Sequence, residues 1–366
     1  MTRENDKRPE WIPKDATEGF ATRIMSGVEQ EEVKQAPSSK RKQRKLADYV
    51  SGVRNNDRTI LAKGITLIES NAPKHIHSAQ RLLNELLPHT GHSLRIGITG
   101  VPGAGKSTFI EALGSYLCEQ GLQVAVLAVD PSSSVTGGSI LGDKTRMESL
   151  SRNPRAFIRP SPSAGTLGGV TRKTRETMLL CEAAGYDVIL IETIGVGQSE
   201  IAVRSMVDMF VLLVLTGAGD DLQGMKKGVM ELADLLIVNK ADGDNKRMAE
   251  VARNEYEQIL HYLRPATDAW QTKALICSAL HHNHIDTVWE QMKQFEHITK
   301  QSGVFEKRRQ LQTKEWVYTM IKERLEADFF NHPFVKEKMP SIEQAVIEGK
   351  QPVTQAVREL FDEYEK

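Results

Sequence analysis

Gly100-Val101-Pro102-Gly103-Ala104-Gly105-Lys106-Ser107 satisfies G-x-x-x-x-G-K-[ST], a spacing whose chemistry is phosphate capture. Glycines at 100, 103 and 105 let the backbone curl until successive N–H groups face phosphate oxygens. The helix that follows adds the positive end of its dipole. Ala104 and Thr108 complete the cradle, and Lys106 is placed to touch the β- and γ-phosphates. The Ser107 hydroxyl is the expected Mg²⁺ ligand, because a hard ion that keeps most of its water still needs an anchoring oxygen.

A second word, Asn239-Lys240-Ala241-Asp242, fits N-K-x-D. An ionised Asp242 only accepts hydrogen bonds, and guanine offers it two donors, N1–H and the 2-amino group. Adenine has an acceptor at N1 and no 2-amino group, so the mismatch leaves polar groups unpaired and favours GTP over ATP. Ser278-Ala279-Leu280 follows another apolar run, and the backbone N–H near Ala279 is expected to meet guanine O6. The competing reading is an ATP-dependent P-loop protein in which Asp242 only caps a helix.

Between the two words lie the groups that read the terminal phosphate. Asp130 opens a Ser/Gly-rich loop that reaches Asp143, with an acid at each end, as a switch ordered by γ-phosphate and Mg²⁺ requires. Glu192-Thr193-Ile194-Gly195 offers an acid for Mg²⁺ or its water and an N–H at Gly195 for the γ-phosphate. Glutamate is longer than the more usual aspartate, which points to contact through water. Val196 stands where many small GTPases carry a water-orienting glutamine, so slow unassisted hydrolysis is expected.

These words need a common edge. Apolar runs at Leu94–Thr99, Gln123–Asp130, Asp187–Glu192, Met209–Leu215, Leu235–Asn239 and Ala274–Ser278 alternate with helix-like segments. Such alternation predicts an α/β fold with a doubly wound, mostly parallel sheet. Right-handed crossovers then gather the loops at the carboxyl ends of the strands, where every motif above lies. Before this region, Leu46–Leu87 has helical apolar spacing, and beyond Thr287 a charged helical stretch runs from Trp289 through Phe330 and again from Ile342 to Tyr364. The expected organisation is a basic arm over 1–45, a helical subdomain over 46–90, a nucleotide-binding domain over 91–298 and a C-terminal helical arm over 299–366.

Composition narrows the function classes. The 366 residues carry 48 Lys+Arg against 48 Asp+Glu, so there is no global basic field to hold nucleic acid or a membrane surface. The basic cluster Lys40, Arg41, Lys42, Arg44 and Lys45 is a short exception that reads as a solvated linker. No apolar run approaches the roughly 18 residues a membrane helix needs. Cys118, Cys181 and Cys277 form no C-x-x-C pair, and the first residues lack an apolar secretory core, so a cytoplasmic address is expected.

Together the words Asp130-Pro131-Ser132-Ser133-Ser134, Gly137 to Met147, Glu192 to Glu200 and Gly219-Asp220-Asp221-Leu222-Gln223-Gly224-Met225-Lys226 resemble the MeaB/ArgK/MMAA family of P-loop GTPases. The resemblance runs from about Leu46 to the C-terminus. It implies a homodimeric GTPase with GTP/GDP and Mg²⁺ as its cofactors. Its partner would be an adenosylcobalamin-dependent acyl-CoA mutase of the methylmalonyl-CoA mutase type, with GTP hydrolysis gating cofactor loading and exchange. It further implies that Asp130, Asp143 and Glu192 gather around Mg²⁺ and the catalytic water. Asp220 and Lys226 would belong to an additional switch facing the mutase. The C-terminal arm would serve dimerisation.

His284, within His281-His282-Asn283-His284, stands where relatives carry a glycine, so a distorted turn is expected there. The same histidines support an alternative, a nickel metallochaperone GTPase. Two further alternatives are a protein kinase of periplasmic transport proteins and a regulatory GTPase of ribosomes or membranes. The first needs an acceptor-binding base that the sequence does not display, and the second must rely on the basic cluster at Lys40–Lys45.

Overall fold

A computed structural model describes residues 44–129, 147–160, 167–193, 198–216 and 227–364. Three helices come first, α1 (Leu46–Arg54), α2 (Arg58–Glu69) and α3 (Pro73–Leu86). Asp57 caps α2, its carboxylate accepting from the N–H groups of Thr59 (2.9 Å) and Ile60 (3.1 Å). The sheet region then runs β1 (Leu94–Gly100), α4 (Lys106–Glu119), β2 (Val124–Val129), α5 (Glu148–Arg152), β3 (Ala156–Arg159) and α6 (Leu167–Ala183). It continues with β4 (Val188–Thr193), α7 (Gln198–Arg204), β5 (Met209–Val214), α8 (Lys227–Met230), β6 (Leu235–Val238), α9 (Lys246–Tyr262) and β7 (Lys273–Ile276). Four helices close the chain, α10 (Ile285–Gln301), α11 (Val304–Asn331), α12 (Pro333–Ile347) and α13 (Val353–Tyr364).

All strand pairs are parallel, in the order β3-β2-β4-β1-β5-β6-β7. The central strands are buried along their whole length, so they read as continuous apolar runs rather than alternating ones. Alternation reappears in what each side chain meets. Val188 and Leu190 join Phe109, Leu113 and Phe295 on one face, while Ile189 and Ile191 join Leu61, Ile65 and Leu82 on the other. The N-terminal helices thus share a core with the sheet.

Two features depart from the sequence expectation. Six strands are expected and the sheet has seven: the added β3 is a four-residue strand at one edge of the sheet. The helical stretch from Trp289 to Phe330 is divided at Gly303, whose φ of +73° stops α10 before α11 begins. Among the described residues no helix is long and apolar enough to cross a membrane.

Buried ion pairs fasten the foot of α11 to the amino ends of the strands. Arg309 grips Asp208 with Nε–Oδ1 and Nη2–Oδ2 distances of 2.7 Å each, while Asp208 Oδ2 also accepts the Arg95 N–H at 2.8 Å. Arg204 and Arg308 approach the fully buried Asp234 at 3.4 and 3.6 Å. Removing one partner from such a cluster strands a buried charge, which fixes the direction in which α11 leaves the sheet.

Candidate nucleotide site

β1 delivers the phosphate loop at the middle of the sheet's carboxyl edge, with β4 on one side and β5 on the other. Packing dictates two of the glycines. A side chain at Gly100 would strike the carbonyl oxygen of Leu213 on β5. Gly105 has φ +84°, and a Cβ there would lie 2.8 Å from Asn239 Nδ2. Gly103 is also left-handed, at φ +80°, and Ala104 is fully buried. Lys106, Ser107 and Thr108 form the first turn of α4.

Lys106 Nζ donates to the carbonyls of Gly100 (2.9 Å) and Val101 (3.3 Å), folded back over the loop. Burial lowers its pKa from the ordinary lysine value, against the pull of Glu192 and Glu200 in the opposite direction. Ser107 Oγ donates to Glu192 Oε1 at 2.9 Å, so the carboxyl end of β4 meets the first turn of α4. This hydroxyl and carboxylate are hard oxygen donors of the kind Mg²⁺ selects, and they fit the ion that the loop chemistry calls for.

Glu200 is a functional residue that sequence reasoning misses. It is 3% exposed on α7 and accepts from Thr99 Oγ1 at 3.4 Å, while Thr99 in turn accepts from Thr193 Oγ1 at 2.8 Å. The carboxylate thus joins the ends of β1 and β4 to α7 beside Lys106. No local pattern announces it, because its partners lie about a hundred residues away.

On the base side Asn239 is a latch. It is 1% exposed, its Nδ2 donates to the Ala104 carbonyl at 2.8 Å, and its Oδ1 accepts the Ala279 N–H at 3.1 Å. One side chain thereby ties the phosphate loop to the Ser278-Ala279 turn. Ser278 Oγ donates to Asp242 Oδ2 at 2.5 Å and orients that carboxylate. Lys240 is left-handed (φ +61°) and reaches over the phosphate loop, its Cε 3.9 Å from where a Cβ on Gly105 would stand. Leu280 is 69% exposed at the rim.

The turn after Leu280 closes without glycine. Ser278 and Asn283 exchange both backbone hydrogen bonds (3.1 and 3.0 Å), and His282 and His284 adopt φ of +57° and +63°. The expected distortion is therefore absorbed as left-handed strain on two histidines. Cys277 is buried, with its thiol pushed up to about 12 by desolvation. Among the described residues no three His, Cys, Asp or Glu side chains converge on a metal-sized site.

The structure therefore brings Lys106, Ser107, Glu192, Asn239, Lys240, Asp242, Ser278, Ala279 and Leu280 to one edge. Asp130, Asp143, Gly195, Asp220 and Lys226 lie outside the described residues.

A family profile described as Methylmalonyl Co-A mutase-associated GTPase MeaB matches residues 61–333, well over half of the chain. The chain belongs to this family of P-loop GTPases. GTPase ArgK of Escherichia coli (strain K12) is 51% identical over 292 residues, covering 80% of this chain and 87% of the relative. The mitochondrial methylmalonic aciduria type A homolog of Mus musculus is 46% identical over 321 residues, covering 85% of this chain and 77% of that one. The crystal structure of an LAO/AO transport system kinase superposes with a TM-score of 0.71 at 40% identity, covering 88% of this chain and 98% of the other. The similar proteins thus carry mixed names, as GTPases, as a methylmalonic aciduria type A homolog and as a transport system kinase.

Proposed function

We propose that the chain binds and hydrolyses GTP as a chaperone of an adenosylcobalamin-dependent acyl-CoA mutase of the methylmalonyl-CoA mutase type, gating cofactor loading and reactivation. The observation that carries the reading is the Asn239 latch: the phosphate loop and the N-K-x-D turn are fastened to each other, inside a chain that matches the mutase-associated family profile.

In this reading Lys106 leaves its two carbonyls for the β- and γ-phosphates, exchanging hydrogen bonds within the loop for charge-assisted ones. Ser107 and Glu192, with Asp130 and Asp143, hold Mg²⁺ and its water, and the ion supplies charge neutralisation at the γ-phosphate. Gly195 senses that phosphate through its N–H. Asp242, oriented by Ser278, accepts from guanine, with Lys240, Ala279 and Leu280 lining the base. Asp220 and Lys226 carry the signal to the mutase. The homodimer forms through α11–α13, where Leu325, Phe330, Ile347, Val353 and Phe361 are exposed large apolar side chains around an apolar cleft of about 890 Å³.

Size-exclusion chromatography of the full chain with a cobalamin-dependent methylmalonyl-CoA mutase tests the partner. Co-elution that depends on the bound nucleotide, and that weakens in D220N and K226A while both variants still bind GDP, is the expected result. Separate elution in every nucleotide state overturns the partner assignment. The kinase reading, favoured by the name of one relative, predicts stable label on an acceptor protein from γ-labelled nucleotide instead of released phosphate.

A further inference from the structure

Away from the nucleotide, α6, α7 and α11 enclose a cleft of about 240 Å³ that the GTPase reading does not use. Arg172 and Arg175 of α6 line it, together with Trp316 and Glu323 of α11 and Ala202 and Ser205 at the end of α7. Its chemistry is unbalanced. Arg172 Nε, Arg175 Nε and Trp316 Nε1 are all buried N–H groups without an acceptor. Such groups forfeit their hydrogen bond to water without replacement, and three of them on residues that line one cleft is the inverse of how a closed helix junction is built.

The remaining bonds of Arg175 hold it in place. Nη2 donates to the carbonyl (2.7 Å) and hydroxyl (2.8 Å) of Ser205, Nη1 donates to the Gln312 carbonyl at 3.2 Å, and the guanidinium lies 5.5 Å from the Trp316 ring centre. These partners are neutral. Burial, and then the nearby charge of Arg95, pull its pKa down to about 10 against the weaker pull of Glu315, the mark of a cation short of counter-charge. Arg172 has Glu176 only at 4.0 Å, too far for a hydrogen bond, and its side chain remains 34% exposed and able to turn. Glu323 is the one carboxylate lining the cleft, and among the described residues no ion pair joins it to either arginine.

We propose that this cleft is a binding site for a small oxyanion, a carboxylate or a phosphate, which accepts from Arg172, Arg175 and Trp316. The cleft of about 240 Å³ suits a small anion and not a nucleotide. Residues of α6 and α11 meet there beside the end of α7, so an occupant ties these three elements together. The proposal stands apart from the mutase reading and needs no partner protein.

The test uses the full-length, GDP-saturated protein carrying 5-fluorotryptophan. Its four tryptophans give four fluorine resonances, and W316F assigns the one that matters. Sodium propionate and sodium phosphate are titrated separately, each against sodium chloride at equal ionic strength. The expected result is a saturable shift of the Trp316 resonance with at least one oxyanion, the responding one identifying the ligand as carboxylate or phosphate. R172M, at a half-exposed position, should raise the half-saturating concentration roughly tenfold or more, as the loss of one charge-assisted hydrogen bond does. E323Q, which removes the opposing carboxylate, should lower it. A Trp316 response to both oxyanions no larger than to chloride overturns the proposal. Saturation of R172M and E323Q at the wild-type concentration overturns it as well.

Discussion

Replacing Asn239 with alanine separates a latch from a ligand. The wild-type side chain is 1% exposed and makes one bond to each of two loops, to the Ala104 carbonyl at 2.8 Å and from the Ala279 N–H at 3.1 Å. Truncation leaves both backbone groups buried without their partner, at about 1–3 kcal/mol each, so N239A should lose about 2–6 kcal/mol. The loss should appear in the nucleotide-free protein as a lower urea midpoint, followed by circular dichroism. Because the two loops are no longer fastened together, GDP affinity, read with a fluorescent analogue, should fall by about tenfold or more. An unchanged midpoint with weakened GDP binding refutes the reasoning, because it would make Asn239 a contact of the base alone. An unchanged midpoint with unchanged affinity refutes the latch altogether.

Three further outcomes follow from the same geometry. G105A should abolish tight nucleotide binding and destabilise by about 1–2 kcal/mol, since φ is +84° and the new Cβ would stand 2.8 Å from Asn239 Nδ2; calorimetry with GDP checks the first and urea unfolding the second. H284G should stabilise the chain by about 0.5–1 kcal/mol in thermal unfolding, the relief of a left-handed histidine at φ +63° less the added freedom of the unfolded glycine. Burial raises the thiols of Cys118 to about 11 and of Cys277 to about 12 and pushes Cys181 up as well, so almost no thiolate exists at pH 8. Ellman's reagent should therefore react slowly with the native protein, faster as the pH is raised, and fully in urea; rapid native reaction at pH 8 contradicts the buried placement.

The sequence was most readable where the physics is local. A phosphate loop and N-K-x-D are each a few consecutive residues, and strands buried on both faces announce themselves as unbroken apolar runs such as Val188–Ile191. The sequence was least readable where partners are remote. The pairing of Asp208 with Arg309 spans 101 positions with no periodic trace. Asn239 was legible as part of a base-recognition word, but its contacts join loops 135 and 40 residues away, which only the folded sheet brings together. Glu200 was visible as a letter in a motif, and its burial against Thr99 is a consequence of strand order, with β1 lying next to β4. The three N–H groups at the α6–α11 cleft were wholly unreadable, because lacking a partner is a property of packing.

The most direct measurement is phosphate release from GTP and from ATP by the purified chain, with and without an adenosylcobalamin-dependent methylmalonyl-CoA mutase. The account predicts turnover of GTP and not ATP, slow for the chain alone and faster when the mutase is added. GTP turnover indifferent to the mutase contradicts the chaperone assignment, and equal turnover of ATP contradicts the reading of Asp242 and the base turn.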